Sequence, residues 1–173
     1  MDETLTERLR LLLPGIVLGL VAFLFGFGLG GVFGAAEDAV KDHLDAEAMA
    51  VLDIAYGGDS VAAKQVTAKS WTYLKRAHLH AGSLGAAALV QILLLALLAR
   101  PAALARVTAL LLGIGAAFYP VYWMWAALCA PRAGGTDQAK ESLQWLAIPS
   151  SGAMIAGTCL TLALVVHHLG RRR

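Results

Sequence analysis

Two imidazoles, two cations and a phenol arrive together in Tyr73-Leu74-Lys75-Arg76-Ala77-His78-Leu79-His80, immediately before an apolar run from Ala81 to Ala99. Ionisable groups so close to hydrocarbon are costly to keep and are read first as functional. A histidine titrates near neutral pH and can ligate a metal or haem iron, or take a proton from a quinol. Residues two apart on a helix stand about 200° apart, so His78 and His80 cannot grip one ion from a regular helix. Each then has its own face. His78 shares one with Gly82 and Gly85, whose missing side chains leave a flat slot suited to a haem macrocycle. His80 shares another with Arg76, Ser83, Ala87 and Gln91, and an amide at the depth of Gln91 calls for a partner.

Other groups converge on the same depth. Tyr119, Tyr122 and Trp123 follow the i, i+3, i+4 rule on one apolar segment, and Glu141, Gln144 and Trp145 open the next. The expected cofactor pocket is built from His78, His80, Gly82, Gly85, Tyr119, Tyr122, Trp123 and Glu141, holding a haem b or a quinol. The expected metal set for copper or iron is His43, His78 and His80. Each residue also has a plainer role. Trp71, Trp125 and Trp145 suit an interfacial aromatic belt, Lys75 and Arg76 suit snorkelling, and Glu141 suits a helix N-terminus. His167 and His168 stand beside Arg171-Arg172-Arg173 and read as interfacial anchors. One segment carries histidines at one depth and another at the opposite depth, so a bis-histidine haem site within the chain is not expected.

Arg76-Ala77-His78 at the opening of an apolar helix resembles the haem-ligand helix of some respiratory oxidase subunits. The resemblance covers Arg76 to His80, with Gly82, and implies a haem ligand at His78 or His80; it names no family. No P-loop, dinucleotide fingerprint, nucleophile elbow or HExxH motif is present, so the residues name no reaction and leave open whether the chain is an enzyme. Ser150 has no base at its depth. No inverted repeat or mid-membrane charge suggests a transporter.

The elements that position these residues are membrane spans. The chain has 173 residues, 58% of them hydrophobic, and a mean hydropathy of +0.66. Four segments reach the roughly 20 apolar residues a spanning helix needs, at about 11–35, 77–99, 104–130 and 143–167. Continuous apolar runs without period-two alternation argue for helices rather than a barrel. The fold class expected is an all-α integral membrane protein: a single domain, residues 1–173, forming a four-transmembrane-helix bundle with an extracytoplasmic helical hairpin at about 36–75. Arg8, Arg10, Arg100, Arg106 and Arg171 to Arg173 fall on one side. The other side carries as many cations but nine acidic residues, against Asp2, Glu3 and Glu7. The positive-inside rule then puts both termini in the cytoplasm, in a bacterial inner (plasma) membrane. The first span is expected to stay as an uncleaved anchor. Scattered basic residues exclude a nucleic-acid surface.

Within the hairpin, Val40, Leu44, Ala48, Val51, Leu52 and Ala55 recur at helical spacing. Gly57-Gly58 stops that helix, Asp59 or Ser60 caps the next, and no breaker separates Val61 from the second span. Pro14 is expected in the first turn of its helix. Gly15, Gly19, Gly26, Gly30 and Gly34 form a small-residue face, suited to packing within the chain, to self-association or to other membrane subunits. Pro120 and Pro149 are expected at similar depth, opening space between helices. Cys129 and Cys159 lie at different depths and are expected to stay unpaired. Two functional readings follow: a small redox-linked membrane subunit with a pocket around His78 and His80, or a non-catalytic accessory or assembly subunit docking through the glycine face and the hairpin.

Overall fold

The structure, a computed structural model, describes residues 4–98 and 102–170. Arg100 and Arg171 to Arg173 lie outside them. Every element is a helix: α1 (Leu5–Met49), α2 (Leu52–Tyr56), α3 (Ser60–Leu98), α4 (Ala102–Cys129), α5 (Thr136–Ser142) and α6 (Gln144–Gly170). Four of them, α1, α3, α4 and α6, are long and apolar enough to cross a membrane.

α1 starts earlier than its apolar run suggests. Thr4 and Glu7 form a reciprocal capping box, which satisfies two otherwise orphaned N–H groups and fixes the first turn at Leu5. Pro14 therefore stands in the third turn rather than the first. The helix also continues past its apolar part, with one non-helical residue at Ala36 (φ −145°, ψ 30°). No glycine or proline lies between Ala36 and Met49, and the alanines and charged residues there are good helix formers. The first span and the first hairpin helix are thus fused. Left-handed Gly57 and Gly58 (φ 60° and 82°) make the turn. The Asp59 carboxylate then accepts from the N–H groups of Val61 and Ala62 at 2.9 and 3.0 Å, launching α3 as one uninterrupted helix of 39 residues.

α1 and α3 run antiparallel along their whole length. Arg8 donates to the carbonyl of Ala96 at 3.1 Å. Further along, Gly26 meets Gly82, Gly30 meets His78, and Phe33 meets Trp71. Close approach is what the glycines supply: a Cβ at Gly26 would stand 2.9 Å from the Gly82 nitrogen. Bare backbone then packs on bare backbone, which is how helices associate where lipid offers no hydrophobic drive. α4 lies against both helices, with Gly113 against Gly15 and Leu18. α6 packs mainly on α4, where Gly115 faces Met154, and touches α3 less. The cross-section is a diamond with α3 and α4 on its short diagonal and a looser seam between α3 and α6. Gly15, Gly19, Gly26 and Gly30 all face helices of their own chain, whereas a Cβ at Gly34 would meet nothing within 4 Å.

Exposed apolar side chains on α3 extend from Leu79 to Leu97, about 27 Å at 1.5 Å per residue. This matches a hydrocarbon core of about 30 Å. α1 and α3 project past this belt at the far end, opposite the termini. There a second core gathers Leu44, Tyr73, Leu74, Tyr122, Ala126, Ala127 and Leu143. Tyr56 donates to the Pro131 carbonyl at 2.6 Å, and Arg132 pairs with Glu47, tying the tip to the segment after α4. Cys129 and Cys159 are both free.

Candidate functional site

α3 presents its two histidines to different neighbours. His78 turns toward α1, with Nδ1 2.8 Å from the carbonyl oxygen of Gly26. A carbonyl only accepts, so Nδ1 carries the hydrogen of this bond. The ring lies against Gly30, where a Cβ would come within 2.9 Å of Cε1, and Phe33 meets its edge with centroids 5.9 Å apart. Gly85 packs on the backbone of Gly19 and Phe23, while Gly26 packs on Gly82. The flat slot expected beside Gly82 and Gly85 is closed at Gly85 by the α1 backbone, whereas a Cβ at Gly82 would meet nothing within 4 Å.

His80 turns toward α4. Its ring centroid is 5.3 Å from that of Tyr119 and 6.3 Å from that of Trp123. The Arg76 guanidinium sits 4.4 Å over the Trp123 ring and 5.3 Å from the Tyr73 ring. Tyr73 meets Trp123 at 5.0 Å, and Tyr119 stacks on Tyr122 at 6.0 Å. These groups form one continuous aromatic and cationic cluster at the edge of the apolar belt. The Trp123 Nε1 is buried without a hydrogen-bond partner. An indole N–H can only donate, and a desolvated donor without an acceptor is costly. The cluster therefore has a built-in demand for an acceptor. Arg76, placed on the His80 face by helical spacing, belongs to it, and so does Tyr73 one turn earlier, which that spacing did not single out.

Glu141 stands apart from the histidines. It is exposed, and with Tyr122, Asp137, Lys140 and Gln144 it lines a groove of about 230 Å³. The short helix α5, which hydropathy did not reveal, brings these groups to Tyr122. Lys140 and Asp137 pair at 2.7 Å. Their hydrogen bond holds the ammonium above its ordinary pKa and the carboxyl below its own.

His43 is exposed on the far extension of α1, thirteen residues beyond Gly30 and so about 20 Å along the helix from His78. The set His43, His78 and His80 is not brought together. Among the described residues no group of three or more His, Cys, Asp or Glu is placed to hold a metal ion. A further groove of about 400 Å³, absent from the sequence reading, lies between the extensions of α1 and α3 and is lined by Lys41, Asp45, Lys64, Thr67, Ala68 and Trp71. Trp125 and Trp145 meet edge to face at 6.2 Å on the exposed surface, the arrangement of an interfacial belt. Pro120 is buried and Pro149 exposed. Ser150 and Ser151 donate to the Leu146 and Ala147 carbonyls of their own helix at 2.6 and 2.7 Å. No protein-family model, curated protein or solved structure matches the chain.

Proposed function

We propose that this chain is a small redox-linked membrane subunit that receives the head group of a quinol at the extracytoplasmic edge of the bilayer, with both termini in the cytoplasm. The observation that carries this reading is the buried, unpartnered indole N–H of Trp123 within the His80–Tyr119–Arg76 cluster. A quinol or quinone oxygen supplies the acceptor that this donor lacks. His80 beside it accepts the phenolic proton, a task suited to imidazole. Tyr119 and Tyr122 provide flat faces for the ring. Of the three cofactors considered, a quinol fits the residues best. Against a haem, the His78 ring is already packed on Gly30 and Phe33 of α1, and among the described residues a metal lacks a converging donor set.

The test is binding of a short-chain quinol analogue to the detergent-purified protein, followed by quenching of tryptophan fluorescence. His80→Ala and Trp123→Phe should each weaken binding about tenfold, the effect of one lost hydrogen bond to a buried group. Unchanged affinity in both variants would sink the reading. The second reading, an accessory subunit without chemistry of its own, draws on a different face. Cβ atoms at Gly28 and Gly31 of α1 would meet nothing within 4 Å, so bare backbone there is open to another helix. Gly31→Leu should block co-purification with a larger complex if that reading holds. Gly26 and Gly30 cannot serve for this test, because a side chain at either collides within the chain.

A further inference from the structure

We infer that the groove between the extensions of α1 and α3 binds a small zwitterion, a primary ammonium joined to a carboxylate as in a free α-amino acid. Two opposite charges face this groove from opposite walls, Asp45 on α1 and Lys64 on α3. The antiparallel register that sets Gly30 against His78 also brings these two residues level. Yet among the described residues no ion pair joins them, so their ammonium and carboxylate stand more than 4.0 Å apart. Neither side chain makes a hydrogen bond among the described residues. The third charge on the groove, Lys41, is already engaged. Its ammonium pairs with Glu37, one turn nearer the membrane, and lies 5.3 Å from the centroid of the Trp71 ring.

A lone anion is drawn to Lys64 and repelled by Asp45, and a lone cation meets the reverse. A molecule carrying both charges satisfies both walls at once. Its N–H groups donate to the Asp45 carboxylate, and its own carboxylate accepts from the Lys64 ammonium; such charge-assisted bonds are stronger than neutral ones. Between Lys64 and Trp71 on α3 stand Thr67 and Ala68. The Thr67 hydroxyl donates to the Lys64 carbonyl at 3.1 Å, and Phe33 props the Trp71 indole edge-on at 4.9 Å. This end of the groove is therefore small-sided and apolar, and suits an aliphatic side chain. The volume of about 400 Å³ is that of a small-molecule site.

Depth decides the source of the ligand. Trp71 and Lys64 lie eight and fifteen residues beyond Leu79, the end of the apolar belt on α3, so about 12 and 22 Å beyond it. The headgroup layer adds only roughly 5–8 Å to each side of the hydrocarbon. Lipid headgroups stop short of the two charges, and the occupant is a free molecule from the water. The site is also separate from the His80 cluster, which begins about 24 Å further along α3.

The experiment is a ligand-observed NMR titration of L-leucine against the full chain, in mild detergent and in nanodiscs of phosphatidylethanolamine. Two water-exposed ion pairs predict a Kd on the order of 1 mM. Lys64→Gln and Asp45→Asn should each weaken binding about five- to tenfold. The exchanged pair, Asp45→Lys with Lys64→Asp, should regain most of the loss, because a zwitterion binds equally well turned end for end. Isocaproate and isoamylamine keep the side chain and one charge each, and should bind about tenfold more weakly than leucine. Thermal melts of the variants check that the bundle is intact. Absence of binding at about 20 mM leucine, a single-charge analogue that binds as tightly as leucine, or affinity unchanged in both single variants each overturns the proposal. So does an exchanged pair as weak as the single variants. Binding seen in detergent but abolished in the nanodiscs would assign the groove to a lipid headgroup, and overturns it as well.

Discussion

At the scale of single residues, two histidines one residue apart have separate duties. His78 joins helices: its Nδ1–H is given to the Gly26 carbonyl and its ring is wedged over Gly30. His80 belongs to the aromatic cluster and is free of such a bond. His78→Ala should therefore lower the thermal stability of the detergent-purified protein by about 1 kcal/mol, the usual value of an interhelical hydrogen bond in membranes, and by more than His80→Ala does. The reverse order in thermal melts would show that the joining role has been misassigned. A helical wheel was enough to separate the two rings, since 200° of rotation cannot aim both at one target. It could not say which ring meets a helix backbone and which meets aromatics. That depends on where α1 and α4 pack.

At the scale of elements, contact is governed by side-chain absence. Gly115 lies against Met154, and a Cβ there would fall 2.7 Å from the Met154 Cα. Gly28 has open space. Gly115→Leu should separate α6 from α4 and lower the melting temperature, whereas Gly28→Leu should leave it unchanged; equal effects would contradict the packing. The far tip is held by the Glu47–Arg132 pair and by Tyr56 bonded to Pro131. The hydrogen bond from Arg132 holds the Glu47 carboxyl below its ordinary value of 4.5. Since the folded pKa is the lower one, the contribution of the pair is fully present above about pH 4.5 and is lost as pH falls through the folded value. Arg132 is exposed and Glu47 only partly covered, so water screens the pair and the effect is local and modest. Hydrogen exchange at residues 130–135 should quicken below pH 4.5 in the wild type and be quick at all pH in Glu47→Gln. Exchange independent of pH in the wild type would remove the tip contact from the account.

At the scale of the molecule, the diamond of α1, α3, α4 and α6 extends one corner pair, α1 and α3, past the membrane belt. The proposed orientation, with both termini in the cytoplasm, predicts that a cysteine at Lys64 reacts with an impermeant maleimide added to intact cells, and a cysteine at Arg106 only after lysis. The opposite pattern would invert the orientation and move the His80 cluster to the cytoplasmic edge.

The number of spans, their positions and the break at Gly57-Gly58 were determined by the sequence alone, because apolar length, backbone propensity and left-handed glycines act locally. The capping box Thr4-x-x-Glu7 and the continuity of the first span with the helix after Ala36 are equally local, but hydropathy does not report them, because it ends where the lipid does, not where the helix does. Tertiary structure alone decided the rest. It spent Gly15, Gly19, Gly26 and Gly30 on intramolecular packing, set Gly85 against the α1 backbone, kept His43 about 20 Å from His78, and gathered Tyr73, Arg76 and His80 around Trp123. Each of these depends on which helix lies next to which, and in a bundle whose faces are nearly all apolar the hydrophobic pattern does not encode neighbours. Small side chains and hydrogen bonds select them, and these act only once the helices are in contact.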